Sequence, residues 1–268
     1  MNPIHSINKK WLILLTFIPI IIILGGYEYF SYLRHLDNPS DKIFPSISSV
    51  WDAFYHYGFE EDKRSGKILL WADTFESMKI YIISILASIS IAALFGVMLG
   101  LYSVVRGLFL SLIVFLSIVP PLAILPILLI SFGVGIESKI ALIFIGTFPI
   151  ATLLIYQSVK QINRNEIIKA KTLGFGNFEL SYKIILPRSI PSIIEALRVS
   201  NGMVWLLLIA SESISAQVGL GYRIFLVRRY MAMDVIFAYI FWIVLIAFII
   251  DHGLKLIIQW RYPWYYNK

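Results

Sequence analysis

The sequence predicts an all-α, polytopic membrane protein with about six transmembrane helices. Three observations carry that. The chain is 59% hydrophobic and 15% charged, against roughly 45–50% and about 25% in soluble domains, and its mean hydropathy is +0.80. Its apolar residues fall in runs long enough to cross a bilayer core, which takes about 20 residues per helix. Between two of those runs lies a polar, basic stretch, NEIIKAKTLGFGNFELSYKIILPRSIP, residues 165–191, built unlike a lipid-solvated helix.

The elements follow in order. Trp11–Tyr27 is uncharged and forms the first span. Its Lys9–Lys10 flank looks like a signal peptide, but no small-x-small cleavage site follows and the run ends in GGYEYF, so the span is retained. Residues 1–30 are thus a cytoplasmic tail and first span, and 31–74 an outer segment. There FPSISSVWDAFYHYG reads as an amphipathic helix capped by Ser46 or Ser48, with Ile47, Val50, Trp51 and Phe54 on one face. Two placements stay open for it, flat on the outer leaflet or packed against neighbouring spans. Residues 75–262 are the core membrane domain. Ile80–Val105 is the second span, Gly107–Ile136 a third broken by Pro120, Pro121 and Pro126, Ile140–Val159 the fourth, Ser189–Ser211 the fifth and Val235–Ile250 the sixth. Residues 263–268 form a tail on the same side as the N-terminus.

Lys160, Arg164, Lys169, Lys171, Lys183 and Arg188 crowd one short region, whereas the basic residues of 31–74 are mixed with acids. The positive-inside rule then puts both termini and residues 160–191 in the cytoplasm. The same rule accounts for the net charge of +7 without nucleic acid. The chain has no cysteine, which excludes disulfides and thiolate ligands. His5, His35, His56 and His252 form no HExxH and no i, i+4 pair, so no metal site is expected.

The 165–191 stretch has internal order. Asn165 is read as an N-cap, with Glu166 in the first turn complementing the helix dipole. The residues IIKAKTL give one to two turns, and Gly174 stands where a left-handed glycine ends a helix. Asn177 can cap a second helix that buries Phe178, Tyr182, Ile185 and Leu186, and Pro187 and Pro191 stop and redirect the chain into the fifth span. The product is a short helix held out from the membrane on a glycine-hinged elbow, suited to docking into a partner.

These residues resemble the EAA loop of ATP-binding-cassette importer permeases: a short helix, a glycine, then I-x-L-P. Here the pattern reads KAKTLG from Lys169 to Gly174 and IILP from Ile184 to Pro187. The resemblance is most specific to the nitrate/sulfonate/taurine-type branch. It continues through IFPSISSVWDAF, VPPLAILPILLISFGVG, SKIALIFIGTFPI, ALRVSNGMVWLLLIASE and GLGYRI, over about 220 residues. The Glu-Ala-Ala of the family is Lys169-Ala170-Lys171 here, so only Ala170 is kept. Either Glu166 supplies the missing carboxylate or the partner has a more acidic groove.

The resemblance implies an importer permease of the bacterial inner membrane, built from two copies of this chain, two cytoplasmic ATPase subunits and an extracytoplasmic solute-binding protein. Residues 165–173 would then be a cytoplasmic coupling helix, with Glu166, Lys169, Ala170, Lys171, Leu173, Gly174 and Pro187 as the ATPase-coupling residues. The one Gly-Lys pair, in RSGKIL, is no P-loop. The chain is therefore expected to need no cofactor and to be no enzyme by itself, ATP and Mg being bound by the partner. The implied cargo is a small anion such as a sulfonate, taurine, nitrate or bicarbonate; relatives that carry vitamin precursors or other heterocycles keep that alternative open.

Further residues carry paired readings. Gly96 and Gly100 make a GxxxG, read as dimer contact, intrachain packing or neither. Pro120 and Pro121 free backbone groups that favour a pathway-lining position. Glu195 and Arg198, one turn apart, are a structural ion pair. Glu212 near the outer end of span five is either a gate or vestibule carboxylate or an interfacial acid reaching water. Gly219 and Gly221 form a turn over the pathway, and Arg223, Arg228 and Arg229 either attract an anion or acidic protein or serve as interfacial anchors. A secondary transporter would favour inverted repeats or charged relays, and a membrane enzyme a nucleophile–base pair or carboxylate dyad. Neither pattern is present in the sequence.

Overall fold

Hydrophobic runs of this length satisfy their backbone polar groups only as helices once water is excluded, and the computed structural model, which describes residues 9–38, 41–176 and 179–266, consists of helices joined by short loops. The helices are α1 Lys9–Asp37, α2 Ile47–Phe59, α3 Leu69–Leu101, α4 Ser103–Ile118, α5 Pro121–Phe132, α6 Ile136–Lys160 and α7 Arg164–Thr172. A π-helical turn, Leu180–Ile185, runs into α8 Leu186–Ser215, followed by α9 Leu220–Arg228, α10 Met233–Arg261 and a 3-10 turn Pro263–Tyr265. Among the described residues, four segments are long and apolar enough to cross a membrane: α3, α6, the π turn with α8, and α10. The pair α4–α5, bent by 95°, makes a fifth if it is one broken span. The six spans of the sequence reading also include α1, a helix of 29 residues.

The chain divides into two units, Met1–Ile68 with Leu226–Ile240, and Leu69–Phe225 with Phe241–Lys268. In the first, the connection from α1 to α2 is tied back onto α1: the Tyr27 hydroxyl donates to the Pro45 carbonyl at 2.6 Å and Ser31 Oγ to that of Phe44 at 2.9 Å. Ser46, not Ser48, caps α2 by accepting from the Ser49 N–H. Ala53 and Gly58 are the buried residues of α2, while Ile47 and Trp51 of its apolar face remain exposed.

The second unit is built on α3, α6 and α8, which pack on one another, with α4 and α5 against α6. Small residues set the α3–α6 distance. A β-carbon on Gly96 would lie 2.7 Å from Ile155 Cβ, and one on Gly100 would lie 2.7 Å from Val159 Cβ. Of the three readings of the GxxxG, intrachain packing is the one observed. Gly146 of α6 is covered by Pro121, whose Cγ would be 2.9 Å from an added β-carbon. Pro121 thus stands in the first turn of α5, where its missing N–H costs nothing, and wedges the bend onto α6.

Two expectations are corrected here. Pro187 and Pro191 do not stop the chain: Pro187 sits in the first turn of α8 and Pro191 inside it, so helix continues from the π turn into the span. Pro187 stands where the hydrogen-bond register changes from the i→i+5 turn to the α-helix, a junction that tolerates its missing N–H. Tyr182 is exposed rather than buried, whereas Leu180 and Ile185 are buried, because the π turn rotates the apolar face away from α-helical spacing. Asn177 and Phe178 lie outside the described residues.

Candidate functional site

Two clusters occupy opposite ends of the second unit. The first lies beyond the C-terminal end of α6. Its helix α7 is capped by Asn163, whose side chain accepts from the Asn165 N–H at 3.0 Å. The cap is thus two residues earlier than the sequence reading placed it, since Asn165 itself is already helical. Leu173 ends the helix, and Gly174 follows with φ +87°, a left-handed conformation that glycine takes without β-carbon strain. The Phe175 N–H returns to the Ala170 carbonyl at 3.2 Å, closing the elbow.

Ala170 is buried, in a cluster with Ile155, Val159, Leu180, Ile185 and Ala196. This gives the alanine a reason: a larger side chain would lift α7 off the bundle. The residues around it face the other way. Lys169 and Lys171 are exposed, as are Ile168 at 50% and Leu173 at 78%. Glu166 forms an ion pair with Arg188 of α8, and Arg188 also lies 5.8 Å over the Trp264 ring. Glu166 therefore already has a partner within the chain, next to Pro187. On the far side of the elbow Glu179 accepts from Lys183 at 3.0 Å and from the Gly176 N–H at 3.3 Å. Those contacts, the lysine first, hold its carboxyl below the usual glutamate range.

The second cluster lies where α3 and α6 begin and α8 ends. Glu212 is fully buried, so it does not reach water as the interfacial reading has it. Its Oε1 accepts from Ser77 Oγ at 2.7 Å and its Oε2 from the Gly221 N–H at 2.8 Å. Ser77 Oγ in turn accepts from the Leu220 N–H at 2.8 Å. Asp73, one turn before Ser77 and also fully buried, accepts from the Gly219 N–H at 3.1 Å and from Arg223 Nε at 2.8 Å. Three successive backbone N–H groups of the GLG turn are thus received by a carboxylate, a hydroxyl and a carboxylate. Arg223 is held by Asp73; Arg229 stays exposed.

The sequence reading found Glu212, Gly219 and Gly221 but passed over Asp73 and Ser77. The available signal was their i, i+4 spacing at the head of an otherwise apolar run. Pro120 and Pro121 lie at the α4–α5 bend and do not join this cluster. Glu195 and Arg198 do pair, at 2.9 Å. Arg198 also grips Asp251 of α10 through Nε and a terminal nitrogen, at 3.1 and 3.2 Å, so the pair is a three-residue tie between α8 and α10.

A helical chain with several membrane-length helices and a short exposed helix at one end is a polytopic membrane protein by its architecture. It belongs to the family of binding-protein-dependent transport system inner membrane components, whose profile matches residues 84–261. The taurine transport system permease protein TauC of Escherichia coli is 33% identical over 196 residues, 73% of this chain and 71% of that protein. A putative ABC transporter permease protein of Methanocaldococcus jannaschii is 32% identical over 260 residues, 97% and 94% of the two chains. A putative aliphatic sulfonates transport permease protein of Escherichia coli, SsuC, is 32% identical over 155 residues, 56% of this chain and 58% of that one. Among solved structures, a chain of the MetNI methionine ABC transporter superposes with a TM-score of 0.63 at 16% identity, over 74% of this chain and 98% of that one. This last likeness is one of fold. The chain is a multi-pass membrane permease of the ABC transporter type.

Proposed function

We propose that this chain is the membrane subunit of an ATP-driven importer, forming half of a translocation pathway completed by a second copy. ATP is hydrolysed by separate subunits that dock on α7, and a solute-binding protein delivers cargo at the opposite face. In this reading α1 is a sixth span, both termini and residues 160–191 are cytoplasmic, and the complex lies in the plasma membrane. The cargo is a small anion of the sulfonate, taurine, nitrate or bicarbonate class. Relatives named for taurine and sulfonates, together with a bicarbonate transport permease protein of Synechocystis 30% identical over 141 residues, support that class.

One observation carries the reading. Ala170 anchors α7 in the core while Ile168 and Leu173 stand exposed beside Lys169 and Lys171. An amphipathic ledge of two aliphatic side chains and two lysines is a surface for a partner groove that is apolar at its floor and acidic at its rim. The departure from Glu-Ala-Ala fits this arrangement, because Glu166 is spent on Arg188.

The test is co-purification of the membrane-expressed chain with a co-expressed ABC ATPase subunit from the same organism. Wild type is expected to retain the ATPase. Gly174→Pro, which cannot hold φ +87°, and Leu173→Asp are each expected to lose it. Equal recovery from all three would remove residues 165–191 as the docking element. Absence of any ATPase partner would remove the importer reading and leave a secondary transporter.

A further inference from the structure

The end of the second unit opposite α7 contains a cavity of about 360 Å³ between the start of α6 and the end of α8. Gly135, Ile136 and Lys139 line one side, and Ile214, Ala216 and Gln217 the other. Lys139 is 6% exposed, yet among the described residues its ammonium makes no hydrogen bond and no ion pair. It lies in the field of Glu212 and Glu76. Both Glu212 oxygens, however, are taken by Ser77 and the Gly221 N–H, so that carboxylate does not depend on the lysine.

A lysine side chain this largely buried, with its ammonium unbonded beside a cavity, is costly and is retained where something pairs with it. The start of α6 adds to the field: Gly135 caps it with no side-chain hydrogen bond, and the positive end of this 25-residue helix favours an anion. Glu137 of the first turn, whose carboxylate lies against Gly135, already answers part of that field. The volume admits a small solute and excludes a peptide. A lysine is a compact point charge with three donors rather than a planar fork, which suits the rotationally forgiving oxygens of a sulfonate, bicarbonate or carboxylate. With one cation lining it and the carboxylates of Glu212, Glu76 and Glu137 nearby, the site favours a single negative charge over two.

We propose that Lys139, with the N-terminal turn of α6, forms a binding site for a small monoanionic oxyanion on the transport path of this permease. The proposal rests on the anion reading given under Proposed function. It assigns to Lys139 a contact with the cargo itself, while the Asp73–Ser77–Glu212 group holds the adjoining turn.

Two measurements test it. In the first, the chain in nanodiscs is acylated with a succinimidyl ester and modification of Lys139 is followed by mass spectrometry. Taurine, methanesulfonate or bicarbonate is expected to slow acylation several-fold, whereas the uncharged isostere methanesulfonamide is not. Equal acylation with and without every oxyanion would overturn the proposal and identify Lys139 as a long-range counter-ion of Glu212.

In the second, the permease with its ATPase and binding protein is reconstituted in proteoliposomes, and ATP-driven uptake of labelled taurine and bicarbonate is measured. Lys139→Met is expected to lower the maximal rate about tenfold, the size of one lost charge-assisted contact. The binding-protein concentration for half-maximal rate should not change, and Lys139→Arg should recover much of the loss. Full-rate uptake by Lys139→Met would overturn the site and leave the importer standing. Oxyanion protection of Lys139 without any ATP-driven uptake by wild type would support the site and overturn the importer.

Discussion

A β-carbon on Gly219 would lie 2.7 Å from Glu212 Cδ, so the turn after α8 closes directly onto a buried carboxylate. Gly219 also has φ +133°, a region other residues rarely enter. Gly219→Ala therefore combines a clash with backbone strain. It is expected to cost about 1–3 kcal/mol for the strain alone, read as a lowered unfolding midpoint, and to abolish transport. Gly202, with nothing within 4 Å of an added β-carbon, is the control: Gly202→Ala should fold as wild type does.

Glu212→Gln and Glu212→Ala should separate by their hydrogen bonds. The glutamine keeps an acceptor for one of the two donors, whereas alanine leaves both the Ser77 hydroxyl and the Gly221 N–H buried without one. Each orphaned group costs about 1–3 kcal/mol, so alanine should be the more damaging in thermal unfolding. Equal effects would mean that water enters the cluster and replaces the carboxylate.

The Arg223–Asp73 pair is asymmetric, because Asp73 is fully buried and the Arg223 side chain is 15% exposed. Arg223→Ala strands a buried charge and is expected to destabilise by about 3–5 kcal/mol. Replacing both, as Asp73→Asn with Arg223→Gln, removes that charge and should be milder than the single change. A double variant as unstable as Arg223→Ala would show that shape, not charge, dominates at this site.

On the elbow, the depressed Glu179 carboxyl gives a pH signature. A carboxyl with a lowered folded pKa contributes stability above its unfolded value of about 4.3, and the contribution fades as pH falls through the lower folded value. Protection of the Gly176 amide from hydrogen exchange, corrected for intrinsic rate, should hold from neutral pH down to about 4.3 and decline below it. Glu179→Gln should flatten that profile. A decline beginning near neutrality in wild type would point to another group.

Charge reversal at the α7 ledge should act on docking alone. Lys169→Glu with Lys171→Glu is expected to leave the unfolding midpoint within about 0.5 kcal/mol equivalent, since both side chains are exposed. The same change should weaken ATPase retention in a salt-dependent way. Ala170→Leu should do the opposite, lowering stability because its site is buried.

The spans were legible because a bilayer imposes a length and a polarity on each segment separately, so α3, α6, α8 and α10 appear as runs of apolar residues. The elbow was legible for a similar reason: capping and left-handed glycine are settled within a few residues, as at Gly174. Even there the cap falls two residues from where the sequence suggests, because Asn163 and Asn165, of equal capping ability, stand two positions apart. The π turn before Pro187 was not legible, since its apolar spacing fits no regular helical period.

What the chain alone determined is what neighbours in sequence decide: helix content, membrane character, a basic exposed helix ending at Gly174, and the motif order of the family. What only the tertiary structure decided are pairings between residues far apart. Ser77 meets Glu212 across 135 positions and Asp73 meets Arg223 across 150, and Gly96 is small because Ile155 is there. Side chains that read as solvent-facing charges or a dimer motif become buried partners, because burial makes a polar group seek whichever complementary group the packing brings within 3 Å. No local pattern records which one that will be.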